Sequence, residues 1–374
     1  MSKISKVEPI SVSYPEPNDN GAVRNITLCR IETSDGVVGW GEAISMWPEA
    51  CKATEVVISG MSDILIGRDP VDNQVLSREV ANRAWWYGPE GIASFARSAI
   101  DIALWDLRGK VTGQSLISML GGAVNTKIPV IASTHAFSAS LEDEIEKHSR
   151  YVEQGFRGIK IGLGKKGAAR LGYDFDRDVL FMKMLRESIG PKPDIMFDRG
   201  QHLRWDTSHA TRLTMAFEEY GLRWIEEPLE PWDLQGFRQL RTHCTSLIAT
   251  GERCWTTEQY ERLIATGIVD VVGCDPGRAG GITGFRELIQ LVEHAQLWFN
   301  AHAWSSAIIT AASLALSASS NRCMLFELKP IENPMQHELV DEPFWHTDGF
   351  IDAPTKPGLG IEVKEAVVQK YRMK

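Results

Sequence analysis

The feature that most constrains this chain is a series of eight short apolar runs, spaced at roughly 30 residues, between Lys127 and Pro330. They are IPVIAS from Ile128, GIKIGLG from Gly158, DIMFDRG from Asp194 and RWIEEPL from Arg223. They continue as LIATGE from Leu247, DVVGCDP from Asp270, WFNAHA from Trp298 and MLFELKP from Met324. Amphipathic stretches such as LEDEIEKHSRYVEQG, FDRDVLFMKMLRESIG and TGFRELIQLVEHAQ lie between them. Strand-then-helix units at this period describe a (β/α)₈ barrel of about 250 residues. An open, doubly wound sheet shares the pattern, so the strand count alone does not choose.

The remaining sequence brackets that region. With 374 residues the chain is long enough for two domains. Residues 1–125 read as an α+β unit. VRNITLCRIETSDGVVGWGEA alternates apolar and polar residues around a Ser-Asp-Gly turn, and ASFARSAIDIALWDLRGKVTG has helical spacing that ends near Gly109 and Gly113. Leu120-Gly121-Gly122 closes this unit as a linker. Residues 126–330 hold the barrel pattern, and the Pro- and Gly-rich segment 331–374 is expected to fold back on the first unit.

Composition narrows the class. The chain is 43% hydrophobic and 24% charged, the balance of a soluble globular enzyme. No apolar run reaches the roughly 18 residues of a membrane span, and MSKISKVEPI lacks a signal-peptide core, so a cytoplasmic location is expected. The six cysteines are scattered without a zinc-type pattern and read as buried thiols. A net charge of −9 argues against nucleic acid as a partner. It also means that an anionic substrate needs local positive charge, which a bound metal supplies.

Chemistry in parallel α/β folds gathers at the carboxyl ends of strands. Those ends carry Lys160, Asp198, Glu226-Glu227-Pro228, Glu252, Asp275, His302 and Glu327 in chain order. The third, fourth and fifth strands thus each deliver a carboxylate to one rim. Without a cation such a set repels itself and raises its own pKa values. A hard divalent ion removes that penalty, and oxygen-only ligation suits Mg²⁺. Any one of these acids alone reads equally well as a helix cap or surface ion pair. On the next two strands, Asp275 beside His302 would fix the imidazole tautomer and raise its basicity, as a general base requires. His148, His209, His243 and His294 fall in helical stretches and are expected at the surface.

These residues resemble the mandelate racemase subgroup of the enolase superfamily. VVGWGEA, SAIDIALWDLRGKVTGQSLISMLGG, GFRGIKIG, WIEEPL, TGE and DPGRAGGITG support the resemblance, which runs in the family's order from about Val37 to Glu327. It implies a modified TIM barrel, (β/α)₇β with the eighth helix displaced, under an N-terminal α+β capping domain. It implies Mg²⁺ on Asp198, Glu226 and Glu252; strand alternation turns only one of Glu226 and Glu227 inward, and the family pattern favours Glu226. Asp275 and His302 become the dyad. Glu327 matches a strand-eight acid that, when protonated, hydrogen-bonds a substrate carboxylate. Lys160 matches the first lysine of a Lys-x-Lys motif that faces the same carboxylate. Barrels of this kind commonly associate, so a homo-oligomer is expected.

Two departures shape the expected reaction. Gly162 stands where the second lysine of Lys-x-Lys would serve as base on the opposite face, and Lys165 and Lys166 are the nearest substitutes. Gly200 stands where many relatives carry Asn or His, leaving the loop residue His202. With one visible base, a two-base racemase is disfavoured. The reading is dehydration of a sugar acid: His302 takes the α-proton, then protonates the departing β-hydroxyl to give a 2-keto-3-deoxy acid. Epimerisation, lactone cycloisomerisation and a silent acid-binding relative are the alternatives. A NAD enzyme is disfavoured, because GLGKKG only partly matches a dinucleotide fingerprint. Trp304 and Trp47 are expected to contact substrate, with the Tyr14–Asn20 loop, Met46 and Trp85-Trp86 as further candidates.

Overall fold

The computed structural model describes residues 2–165 and 167–374; Lys166 lies outside them. The chain opens with an antiparallel sheet of three strands, β1 (Ile4–Glu16), β2 (Ala22–Thr33) and β3 (Val38–Met46). The β2–β3 turn falls at Ser34-Asp35-Gly36, where Gly36 takes φ +87° and the Thr33 hydroxyl donates to Asp35 at 2.6 Å. Helices α1 (Pro48–Leu65), α2 (Asn73–Ala84), α3 (Ile92–Thr112) and the short α4 (Leu116–Met119) follow. Helix α3 lies so close to β3 that a Cβ at Gly41 would collide with the Ala99 carbonyl.

Eight parallel strands then alternate with seven helices. They run β4 (Ile128–His135), α5 (Leu141–Glu153), β5 (Gly158–Leu163), α6 (Phe175–Ile189), β6 (Asp194–Arg199), α7 (Thr207–Glu218) and β7 (Leu222–Glu226). The series continues as α8 (Leu234–His243), β8 (Leu247–Thr250), α9 (Thr257–Ala265), β9 (Val271–Cys274), α10 (Gly281–His294), β10 (Trp298–Ala301), α11 (Ala307–Ala318) and β11 (Phe326–Leu328). Neighbours pair from β10 through β9, β8, β7, β6, β5 and β4 to β11. A single parallel bridge, Phe299 to Cys323, returns β10 to the segment leading into β11. This is the (β/α)₇β arrangement, not an open doubly wound sheet. Asp174, Asp206, Asp233 and Thr256 each cap the following helix by accepting a backbone N–H.

Strand parity sorts the side chains. Ile131, Met196, Trp224, Ala249, Val271 and Leu325 pack together inside the barrel. Ile159, Ile161, Ile195, Phe197 and Ile225, of opposite parity, pack outward against the helices. Successive residues of a strand point to opposite faces, so Lys160, Asp198, Glu226 and Glu327 share the inward face and stand above the apolar plug.

The tail contacts both units. β12 (Phe350–Ile351) pairs antiparallel with β4, and beyond α12 (Glu365–Tyr371) the Met373 N–H donates to Ser11 O of β1 at 2.9 Å. Buried Asp106 of α3 accepts from Trp40 N at 2.9 Å and from Leu359 N at 2.8 Å, tying sheet, helix and tail together. No helix among the described residues is long and apolar enough to cross a membrane. The expectation for His148 is corrected. It is fully buried under α5, with Nδ1 2.6 Å from Glu144 O and its ring against Tyr151 and Phe181.

Candidate active site

A cavity of about 390 Å³ opens at the carboxyl ends of the barrel strands, beneath the capping sheet. Its lining includes Lys160, Asp198, Glu252, Asp275, His302 and Trp304 from the barrel, with Arg24, Met46 and Trp47 from the cap.

Lys160 is the electrostatic hub. Its ammonium lies 2.9 Å from Glu226 Oε2 and 2.7 Å from Glu327 Oε1. Burial opposes its charge, but Glu226, Glu327 and Asp198 outweigh burial and hold the amine protonated well above the usual lysine range. Glu327 is pinned further by Ser133 Oγ at 2.8 Å and by Asn300 Nδ2. Burial would neutralise Glu327, yet Lys160 and then His302 draw its pKa below the ordinary value. The protonated form in which the resemblance has Glu327 hydrogen-bond a substrate carboxylate is thus disfavoured while the Lys160 ammonium stands beside it.

Asp198 and Glu226 are register partners on β6 and β7. Burial raises both, and for Asp198 the charges of Glu226 and Glu252 add to it. Glu226 shares its face with Trp224, whose indole N–H lies 3.3 Å from Glu226 Oε2. Glu227 turns away, with φ +41° and Oε2 2.7 Å from Arg253 Nε. Burial and the charge of Glu252 raise it to about 8. Among the described residues no three His, Cys, Asp or Glu side chains close around one point. The donor set still suits a hard cation: oxygen-only, inward-facing and mutually repelling in a buried position.

His302 follows β10, and Asp275 follows β9. Asp275 Oδ2 is hydrogen-bonded to His302 Nδ1, while its Oδ1 accepts from Gly277 N at 2.7 Å. That leaves Nε2 as the ring nitrogen free to meet a ligand. Burial depresses the imidazole, but the hydrogen bond and charge of Asp275 outweigh it and raise its pKa above the ordinary value.

Other sequence candidates separate. Trp304 lines the cavity but is only 5% exposed, packed between the Arg24 guanidinium at 4.9 Å and Lys329 Nζ at 5.3 Å. Met46 and Trp47 sit exposed at the rim. Tyr14 is a buried residue of β1, not a loop residue, and Trp85 and Trp86 are exposed away from the cavity. Lys165 is held by Asp19 Oδ1 at 2.8 Å. His202 is an exposed rim residue. Gly200 has no room for a side chain, since a Cβ would collide with Leu163 O.

The sequence reading missed His135, Arg24, Ser133 and Asn300. His135 had a usable signal, a polar residue ending the first barrel strand. The other three are recognised only through partners distant in sequence.

Models of two families match the chain, "Mandelate racemase / muconate lactonizing enzyme, N-terminal domain" over residues 9–121 and "Enolase C-terminal domain-like" over 143–367. A D-galactonate dehydratase family member from Streptomyces bingchenggensis is 30% identical, covering 93% of this chain and 90% of that protein. The 3,6-anhydro-D-galactonate cycloisomerase structure from Zobellia galactanivorans superposes with a TM-score of 0.89 at 28% identity, covering 100% of both chains. A racemase from Streptomyces coelicolor A3(2), solved with bound magnesium, gives 0.86 at 26% identity over 99% of this chain and 100% of that one. Its relatives include dehydratases and cycloisomerases of sugar acids, and the chain belongs to the mandelate racemase subgroup of the enolase superfamily.

Proposed function

We propose that this protein is a Mg²⁺-dependent acid-sugar dehydratase. The observation that carries the reading is the Asp275-held His302, whose Nε2 is left for a ligand in the cavity that Lys160, Asp198 and Glu252 also line. Asp198, Glu226 and Glu252 would hold the ion, which when bound supplies positive charge where an enediolate develops. The magnesium-bound racemase of the same fold supports that choice of metal.

The chain's own residues do the rest. Lys160 receives the substrate carboxylate as a buried, permanently charged donor and stabilises the second negative charge that forms when the α-carbon loses its proton. His302 takes that proton at Nε2 and becomes an imidazolium stabilised by Asp275. The β-carbon–oxygen bond then breaks, the imidazolium returns its proton to the leaving oxygen, and water departs. The enol left behind becomes a 2-keto-3-deoxy acid. The cap brings Arg24 and the rim residues Met46 and Trp47 over this space.

The test is a panel of aldonic and aldaric acids incubated with MgCl₂, read as keto acid formation, with EDTA and Mg²⁺ add-back as the control. Keto acid that disappears with EDTA and returns with Mg²⁺ is the expected result. In D₂O, α-deuteration without loss of water would sink the dehydratase reading. Ring opening of a lactone or anhydro acid without water loss would favour cycloisomerisation, the reading that the Zobellia neighbour supports.

A further inference from the structure

Six lysine and arginine side chains line the active-site cavity: Arg24, Lys160, Lys165, Arg199, Arg253 and Arg278. Five of them are held by an oxygen of the protein. Arg24 donates to Trp304 O at 3.0 Å and Lys165 to Asp19 Oδ1 at 2.8 Å. Lys160 pairs with Glu327 at 2.7 Å, Arg253 pairs with Glu227 at 2.7 Å, and Arg199 donates to Glu227 O at 2.7 Å. The Arg278 guanidinium has no hydrogen bond or ion pair among the described residues, and its Nε is buried without a partner. Buried donors are seldom left unmade, so this one calls for a physical reason.

Arg278 is fixed in place without using those donors. It lies in the DPGRAGG turn that follows β9 and begins with Asp275. Its N–H donates to Asp275 O at 3.0 Å, and its carbonyl accepts from Ser94 Oγ of α3 at 2.5 Å. The neighbouring Gly277 carbonyl accepts from Ile44 N of β3 at 3.3 Å. The guanidinium packs over Trp255 at 4.3 Å, with Phe95 of α3 at 5.7 Å. Stacking engages the face of the group and leaves its in-plane N–H donors unused. Cap and barrel together thus hold a half-buried fork of donors at the cavity wall. A planar fork of that kind matches a carboxylate through two parallel hydrogen bonds. In the closed ring of eight strands, β9 stands four places from β5 in either direction. Arg278 therefore rises from the side of the barrel mouth opposite Lys160.

We infer that Arg278 receives a second anionic group at the far end of the substrate, so that the preferred acid sugar is a diacid. The inference rests on the acid-sugar dehydratase reading and narrows it. Lys160 and the ion take the carboxylate whose α-proton is removed, and Arg278 takes the terminal carboxylate across the mouth. That terminal group makes and breaks no covalent bond. Its hydrogen bonds form on binding and persist through the reaction, so they act on KM more than on kcat. With a net charge of −9 on the chain, a dianion is disfavoured unless each of its ends meets a cation.

The experiment compares acids that differ only at the far carbon, D-gluconate with D-glucarate and D-galactonate with galactarate, on the full chain with MgCl₂. Keto acid formation is measured for wild type, Arg278→Gln and Arg278→Lys. Wild type is expected to favour the diacid of a pair by roughly 10-fold or more in kcat/KM. Arg278→Gln should erase that preference, raising KM for the diacid by roughly 10- to 100-fold while the monoacid changes by less than about twofold. Arg278→Lys should recover part of it, because an ammonium keeps the charge but not the fork. Equal losses for both acids in Arg278→Gln would assign the residue a structural role and overturn the inference. A wild type that prefers the monoacids overturns it too and leaves the dehydratase reading standing. A preference for 6-phospho-D-gluconate over D-glucarate would assign the fork to a phosphate and overturn the diacid. The wild-type comparison decides even where Arg278→Gln fails to fold. A wild type that forms keto acid from no member of the panel overturns the dehydratase reading. Calorimetric binding with MgCl₂ then decides the inference alone: roughly 10-fold tighter binding of the diacid supports it, and equal affinity for the two acids overturns it.

Discussion

At the scale of single residues, His302 and Asp275 make the sharpest predictions. Replacing His302 with Asn removes the proposed base and is expected to lower kcat by roughly 10²- to 10⁴-fold, measured as keto acid formation. The pH profile follows from the sign of the shift. Because Asp275 raises the His302 pKa, the neutral base is lost at a higher pH than for an isolated imidazole. The acidic limb of kcat/KM should therefore lie above the ordinary histidine value, and Asp275→Asn should move it downward. A limb that stays in place in Asp275→Asn would show that another group controls it. Lys160, Asp198, Glu226 and His302 were legible in the sequence because strand parity and strand ends are one-dimensional features. The Lys160–Glu327 ion pair and the fit of the His135 ring over Gly162 were not. Both depend on groups brought together from different strands.

At the scale of elements, α5 carries a buried titration. Burial lowers His148 to about 4, against 6.5 for an exposed imidazole. Between those values the unfolded chain binds a proton that the folded chain does not, so stability is full above pH 6.5 and falls as the pH drops toward 4. The loss amounts to about 3 kcal/mol. Thermal melts of wild type and His148→Phe across this range should differ in slope, with the variant flatter. An equal slope would assign the acid sensitivity elsewhere. The β3–α3 packing gives a second test: Gly41→Ala forces a methyl into the Ala99 carbonyl and should cost about 1–3 kcal/mol, read as a lower Tm. All eight barrel strands and the three named helices were readable from apolar periodicity. His148 was misplaced because a helix has a buried face, and a polar residue near a carbonyl it can bond is tolerated there.

At the scale of the whole molecule, the two units meet through polar groups with no water access. Lys329, just past β11, lies 2.7 Å from Glu16 of β1 and 3.0 Å from Ser305 O, and both members of the ion pair are fully buried. Glu42 of β3 accepts from the hydroxyls of Ser305 and Ser306, and Arg24 donates to Trp304 O at 3.0 Å. Lys329→Met should strand the Glu16 carboxylate and lower stability by about 3–5 kcal/mol, while Glu16→Gln with Lys329→Met should recover part of it. Paired thermal melts would show whether the recovery occurs. Directly or through Lys329, these bonds reach residues 304–306, just after His302, so the loop that follows the proposed catalytic imidazole is built half by the lid. Substrate range in this architecture therefore does not move by transplanting a foreign lid intact. A chimera that kept this barrel but lacked acids at positions 16 and 42, or the arginine at 24, would misalign its own base. Successful domain exchange requires those three anchors to travel with the host barrel.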